Sequence, residues 1–120
     1  MIIEATHATP AITIDPGLIK IIGRSIPEDS AEFYEPVILA IRDYFKLTIE
    51  KTEIYIHLEY INSGSKKFLT TLLGICNEAF ANGHNLSIIW NYDYDDESMQ
   101  ELGNDLKTML NVPFEIKEVN

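Results

Sequence analysis

The stretch Leu58-Glu59-Tyr60-Ile61-Asn62-Ser63-Gly64-Ser65-Lys66-Lys67-Phe68-Leu69 changes its hydrophobic period at its centre. Upstream, Ile54, Ile56, Leu58 and Tyr60 alternate with Tyr55, His57, Glu59 and Ile61, the period of a strand with one buried face. Downstream, Phe68, Leu69, Leu72, Leu73, Cys76, Ala79 and Phe80 share one face of a helix. The residues between, Asn62-Ser63-Gly64-Ser65, are types that turn or cap. Ser63 therefore stands where a strand ends and a helix begins. Such a junction carries backbone N–H groups without helical acceptors, at the positive end of the helix dipole. A phosphate there would meet those amides, with Lys66 and Lys67 as neighbouring cations. The same residues also read as a plain cap, in which Asn62, Ser63 or Ser65 contributes about 1 kcal/mol. Spacing alone leaves both readings open.

Before this stretch, Ile2-Ile3-Glu4 and Ala11-Ile12-Thr13-Ile14 read as short strands. Asp15-Pro16-Gly17 predicts a type II turn, with Pro at its first corner and Gly at its second, leading to a hairpin strand over 18–22. Gly23-Arg24-Ser25-Ile26-Pro27 reads as a loop. Asp29 and Glu32 have capping-box spacing, while Pro36 is unfavourable inside a helix. The pattern therefore predicts a short turn over 30–34 and a main helix over 36–46, with Val37, Ile38, Ala40, Ile41, Tyr44 and Phe45 inward.

After it, the second helix is expected to stop at Gly83. Leu86, Ile88, Trp90 and Tyr92 alternate as a strand, and the acidic run from Asp93 to Ser98 leads into a third helix. Ser98 with Glu101 predicts its cap, and Met99, Leu102, Leu106, Met109 and Leu110 its apolar stripe. A last strand covers 114–119. Helices alternating with strands imply parallel crossovers, and strands that alternate rather than run apolar imply one uncovered sheet face. The expected fold is α/β: a single two-layer domain over 1–120, with a mixed, mostly parallel sheet and three helices mainly on one face.

A formal charge of −10 disfavours nucleic-acid binding. No run is apolar and long enough to cross a membrane, and the first residues lack the pattern of a secretion signal. A lone cysteine forms no internal disulfide, which fits a cytoplasmic location; its place on the apolar helix face gives Cys76 a packing role. The cluster Asp93, Asp95, Asp96 and Glu97 lacks the EF-hand pattern and reads as a solvated helix start. His7, His57 and His84 are not at metal-ligand spacing. Ser63 has neither a Gly-x-Ser-x-Gly setting nor a placed base, and no Walker or Rossmann glycine pattern occurs. No cofactor, metal or active site is expected. An interaction module is the class that remains.

Several segments together resemble one family. They are Ile3-Glu4-Ala5-Thr6 with Thr9-Pro10; Gly23-Arg24-Ser25-Ile26-Pro27-Glu28-Asp29 with Phe33-Tyr34-x-Pro36; the segment from Leu58 to Lys66; Trp90-Asn91-Tyr92-Asp93-Tyr94-Asp95-Asp96-Glu97-Ser98-Met99 with Glu101-x-Gly103; and Pro113-Phe114. In this order they resemble the SiaC family of regulatory phosphoproteins in bacterial biofilm and aggregation signalling. The resemblance implies a SpoIIAA-like (STAS-like) domain and a partner-switching role in c-di-GMP signalling. It further implies phosphorylation by a GHKL-type kinase, reversal by a PP2C-type phosphatase, and an unphosphorylated form that binds and activates a diguanylate cyclase. The family's phosphoacceptor follows the Asn of Tyr-Phe-Asn-Thr-Ser-Ser-Lys, which carries over to Ser63. Serine replaces threonine there, and Gly64 replaces the next serine, leaving Ser65 as the alternative acceptor. Asn62, Gly64, Ser65 and Lys66 would support the phosphate, and Arg24, Pro27, Glu28, Tyr60 and Lys67 are expected on the partner surface. The competing readings are a constitutive scaffold in which Ser63 only caps, and a small metal-binding domain using Asp93 to Glu97.

Overall fold

Strands and helices alternate through the computed structural model, which describes residues 1–120. The strands are β1 (Ile2–Ile3), β2 (Ala11–Asp15), β3 (Leu18–Ser25), β4 (Thr52–Ile61), β5 (Leu86–Asp93) and β6 (Phe114–Val119); the helices are α1 (Ser30–Tyr44), α2 (Ser63–Ala81) and α3 (Glu97–Thr108). The sheet order is the chain order, β1 to β6. β1, β2 and β3 pair antiparallel, and β3 through β6 run parallel. Each helical crossover thus advances one strand in the same direction. Right-handed crossovers repeated in one direction put every helix on the same face. The core agrees: Ile19, Ile21, Ile54, Ile56, Leu58, Ile88 and Trp90 from the sheet pack with Val37, Ile41, Leu69, Leu72 and Leu106 from all three helices. This is the mixed two-layer α/β arrangement that the alternation implies.

The turn before β3 forms as expected, with Gly17 at φ 87°. At the far end of α2 the amides of Gly83 and His84 return to the carbonyls of Phe80 and Ala79, a Schellman stop. α3 packs so closely on the sheet that a Cβ at Gly103 would lie 2.5 Å from the Trp90 ring, whose Nε1 donates to the Met99 carbonyl at 3.0 Å. No helix is long and apolar enough to cross a membrane.

Five expectations need correction. The loop expected from Gly23 is strand as far as Ser25, because β3 keeps pairing with β4 to Ile61. α1 is one helix from Ser30, not a turn followed by a helix. Pro36 lies inside it but on the exposed side, so the hydrogen bond it cannot make is lost towards water, and the preceding turn is anchored by buried Tyr34. The α3 cap is Asp96, which accepts from the Met99 amide at 3.1 Å, rather than Ser98. Met109 falls just beyond α3 and is exposed. Tyr60 leaves the core face. The β3–β4 register slips between Gly23 and Arg24, with Gly23 opposite Leu58 and Arg24 opposite Tyr60, so Glu59 is an extra residue. A bulge of this kind inverts the alternation, turning Tyr60 outward (56% exposed) and Ile61 towards the core.

Candidate functional site

α2 starts almost directly on β4, with only Asn62 between them. Asn62 is extended, at φ −91° and ψ 172°, and its Oδ1 accepts from the Ser65 amide at 2.9 Å. Its Nδ2 donates to the Pro27 carbonyl at 3.0 Å, and its own amide donates to the Ser25 carbonyl at 3.0 Å. One residue therefore caps the helix and ties its first turn to the loop between β3 and α1.

Ser63 is the first helical residue and is exposed. Ser65, one position beyond Gly64, is fully buried. Its hydroxyl accepts from Ser25 Oγ at 2.8 Å, and Ser25 Oγ is in turn bonded to the Tyr34 hydroxyl. Because Ser25 gives its single proton to Ser65, Tyr34 must donate to Ser25. β3, α1 and α2 are joined by this chain of buried hydroxyls. Burial pushes the Tyr34 phenol above its ordinary 10.0, and the neighbouring Ser25 and Ser65 hydroxyls pull more weakly the other way. The two serines of the junction differ in kind. Ser63 is open to a reagent, whereas Ser65 is committed to the core.

Gly64 sits at a close approach. A Cβ there would lie 2.5 Å from Ser30 Oγ and 3.2 Å from Ser30 Cβ. The start of α2 therefore rests against the start of α1, and a side chain at position 64 would require the Ser30 hydroxyl to turn away.

Lys66 and Lys67 are exposed on the first turns of α2, as the sequence suggests. That first turn holds no acid and its cap is the neutral Asn62, while α1 begins with Asp29 and Glu32 and α3 with Asp96 and Glu97. The amides of Ser63 and Gly64 have no backbone acceptor. The positive end of α2 is the one its own sequence leaves uncompensated.

The expected partner-surface residues fall into three places. Arg24 and Tyr60 meet on the uncovered sheet face, the guanidinium 4.9 Å from the ring centroid, with Arg24 Nε buried and unpartnered. Pro27 is buried behind its bond from Asn62, and exposed Glu28 lies beyond it on a separate groove. Lys67 is exposed on α2. Ser25 and Tyr34 went unassigned from sequence, although both lie in the motifs that carry the family resemblance. Alternation from Ile19 and Ile21 was the signal that turns Ser25 inward.

The acidic run is dispersed by its local structure. Asp93 Oδ1 lies 2.8 Å from His57 Nε2, Asp95 occupies a positive-φ turn at 66°, and Asp96 caps α3. No group of three or more His, Cys, Asp or Glu side chains converges in metal-holding geometry. Cys76 is buried, and burial pushes its thiol up to about 12.

The sequence model of the SiaC family regulatory phosphoproteins matches residues 3–119. This chain belongs to the SiaC family. An uncharacterised protein of Pseudomonas aeruginosa strain UCBPP-PA14 is 31% identical to it over 117 residues, covering 96% of this chain and 93% of the relative. The crystal structure of the diguanylate cyclase SiaD in complex with its activator SiaC, from P. aeruginosa, contains a chain that matches with a TM-score of 0.93 at 30% identity, over 99% of both chains. Apo-SiaC from the same organism matches with a TM-score of 0.87 at 28% identity, over 98% of this chain and 97% of that one. As a member of the SiaC family, this is a regulatory protein and not an enzyme. The SiaC-like fold runs the length of the chain.

Proposed function

We propose that Ser63 is reversibly phosphorylated, and that the unphosphorylated protein binds and activates a diguanylate cyclase. In this reading a GHKL-type kinase adds the phosphate in the cytoplasm and a PP2C-type phosphatase removes it. One observation carries the assignment: Ser63 is the exposed hydroxyl at an uncompensated helix start, whereas the hydroxyl of Ser65 is held in the buried chain with Ser25 and Tyr34. The family's description as regulatory phosphoproteins and the activator role of SiaC towards SiaD support a phosphate-controlled cyclase partner.

The mechanism is local. A phosphate adds about −1.5 to −2 charges and three acceptor oxygens. At Ser63 it stands beside the free amides of residues 63 and 64, with Lys66 and Lys67 as nearby countercharges, so the fold has no need to change. The net charge is already −10, and a small increment matters little at long range. What changes is the contact surface. A partner packed flat over Asn62 to Lys66 would have to desolvate the phosphate and would lose its fit.

The test is cyclase activation by four forms of the protein, using the organism's own diguanylate cyclase. Wild type and Ser63→Ala should activate alike, while Ser63→Asp and the phosphoprotein should activate weakly or not at all. Equal activation by all of them would overturn the reading and leave the constitutive scaffold.

A further inference from the structure

A second recognition feature lies beside the switch. Ile3 of β1, Ala8 of the β1–β2 connection, Pro27, and Phe33 and Pro36 of α1 form the floor of an open groove of about 550 Å³. Its rim carries Glu28, Asp29 and Glu32 and no lysine or arginine. None of these carboxylates is in an ion pair; the ion pairs of the protein are Lys46 with Asp43 and His57 with Asp93. An apolar floor under a rim of acceptors is complementary to one kind of occupant.

We propose that this groove docks an apolar segment flanked by lysine or arginine, supplied by a protein partner. The apolar side chains cover Phe33, Ile3 and Ala8, and the cations meet Glu28 and Glu32. The loop forming one wall is fixed from both sides: the Ile26 amide donates to the Ala8 carbonyl at 2.8 Å, and Asn62 holds Pro27. The groove is thus pre-formed, which lowers the ordering cost of docking. The proposal rests on the reading of this protein as a partner-binding regulator, but not on phosphate at Ser63. The groove recruits, and the junction decides whether the recruited partner seats.

The experiment titrates the full chain, as wild type and as Ser63→Asp, with a synthetic amphipathic helix of leucine and lysine about 15 residues long. Backbone amide shifts locate the peptide and fluorescence anisotropy measures its affinity. The expected shifts centre on Ile3, Ala8, Thr9 and Phe33 in both forms. Glu28→Gln with Glu32→Gln should weaken binding by roughly five-fold or more, as expected from losing two partly exposed ion pairs. Glu115→Gln with Asp105→Asn makes the same change in net charge at remote, exposed positions, and should weaken it by under about two-fold because salt screens distant charges. Ala8→Phe, which fills the floor, should also weaken it.

Equal weakening by the two charge-matched pairs would show attraction to the whole acidic surface and overturn the proposal. So would shifts centred on the uncovered sheet face, or the absence of saturable binding. The two readings fail separately. Loss of groove binding leaves cyclase control by Ser63 untouched, and absence of phosphate at Ser63 leaves this titration unchanged.

Discussion

The junctions β4–α2 and β5–α3 occupy equivalent places, at the ends of neighbouring parallel strands, yet they treat charge in opposite ways. β5 reaches α3 through Tyr94, Asp95 and Asp96, with an aspartate cap and Glu97 in the first turn. Those carboxylates complement the helix dipole, each contributing about 0.3–1 kcal/mol, and the end is electrostatically complete. β4 reaches α2 through the neutral Asn62, with no acid in the first turn, a free hydroxyl at Ser63, and lysines at 66 and 67. In a protein with 19 acidic and 9 basic residues, this is the helix start still able to take an anion. The difference teaches where a charge can act as a signal: at the end that has not already supplied its own.

The sharpest way to break the comparison is to exchange hydroxyls. Ser63→Ala should abolish phosphorylation outright while costing little stability, since Asn62 rather than Ser63 is the cap. Ser65→Ala should leave phosphorylation in place and cost about 1–3 kcal/mol, because it strips a partner from the buried Ser25–Tyr34 chain. Phosphoprotein gels and urea denaturation read the two effects separately.

The next effect belongs to the completed end. Gly103→Ala should lower stability by about 1–3 kcal/mol, because its Cβ would press into the Trp90 ring. Thermal unfolding checks this, and an unchanged midpoint would mean that α3 can lift from the sheet without cost.

Charge transfer between the ends sharpens the contrast. Asn62→Asp should still cap α2, but it loses the bond to Pro27 and places an acid where the phosphate would sit. Kinase assays should show slower phosphorylation, with stability within about 1 kcal/mol of wild type. Asp96→Asn removes an acid from the other end and should leave phosphorylation unchanged.

The smallest effect is alkaline. The folded protein holds the protons of Cys76 and Tyr34 more tightly than the unfolded chain does, because burial raises both groups. Their contribution is intact below the unfolded values and is lost as pH rises; for Cys76 the window runs from its ordinary 9.0 towards about 12. Urea midpoints should fall across that range, and Cys76→Ala should flatten the fall relative to its own neutral-pH value.

The fold was legible where local chemistry and the core agree. Asn62 and Gly83 bracket α2 as their types suggest, and the period change around Ser63 marks a true strand-to-helix junction. It was illegible where a long-range constraint overrides a local preference. Pro36 argues for a break, but Tyr34 is locked to Ser25 and holds the preceding turn in α1. The inserted Glu59 changes the face of Tyr60, and only pairing with β3 reveals it. At the site, residue types pointed to Ser63 and Ser65 together. Burial separates them, and burial comes from Ser25 and Tyr34, whose contacts span the sheet and two helices.

The most direct measurement is phosphopeptide mapping of the protein isolated from its native cells with phosphatases inhibited. The account predicts phosphate on the peptide containing Asn62 to Lys66, with fragmentation placing it on Ser63. Phosphate on Ser65 would contradict the account, since that hydroxyl is reached only by opening the core. So would the absence of phosphate across growth conditions and after incubation with the cognate kinase.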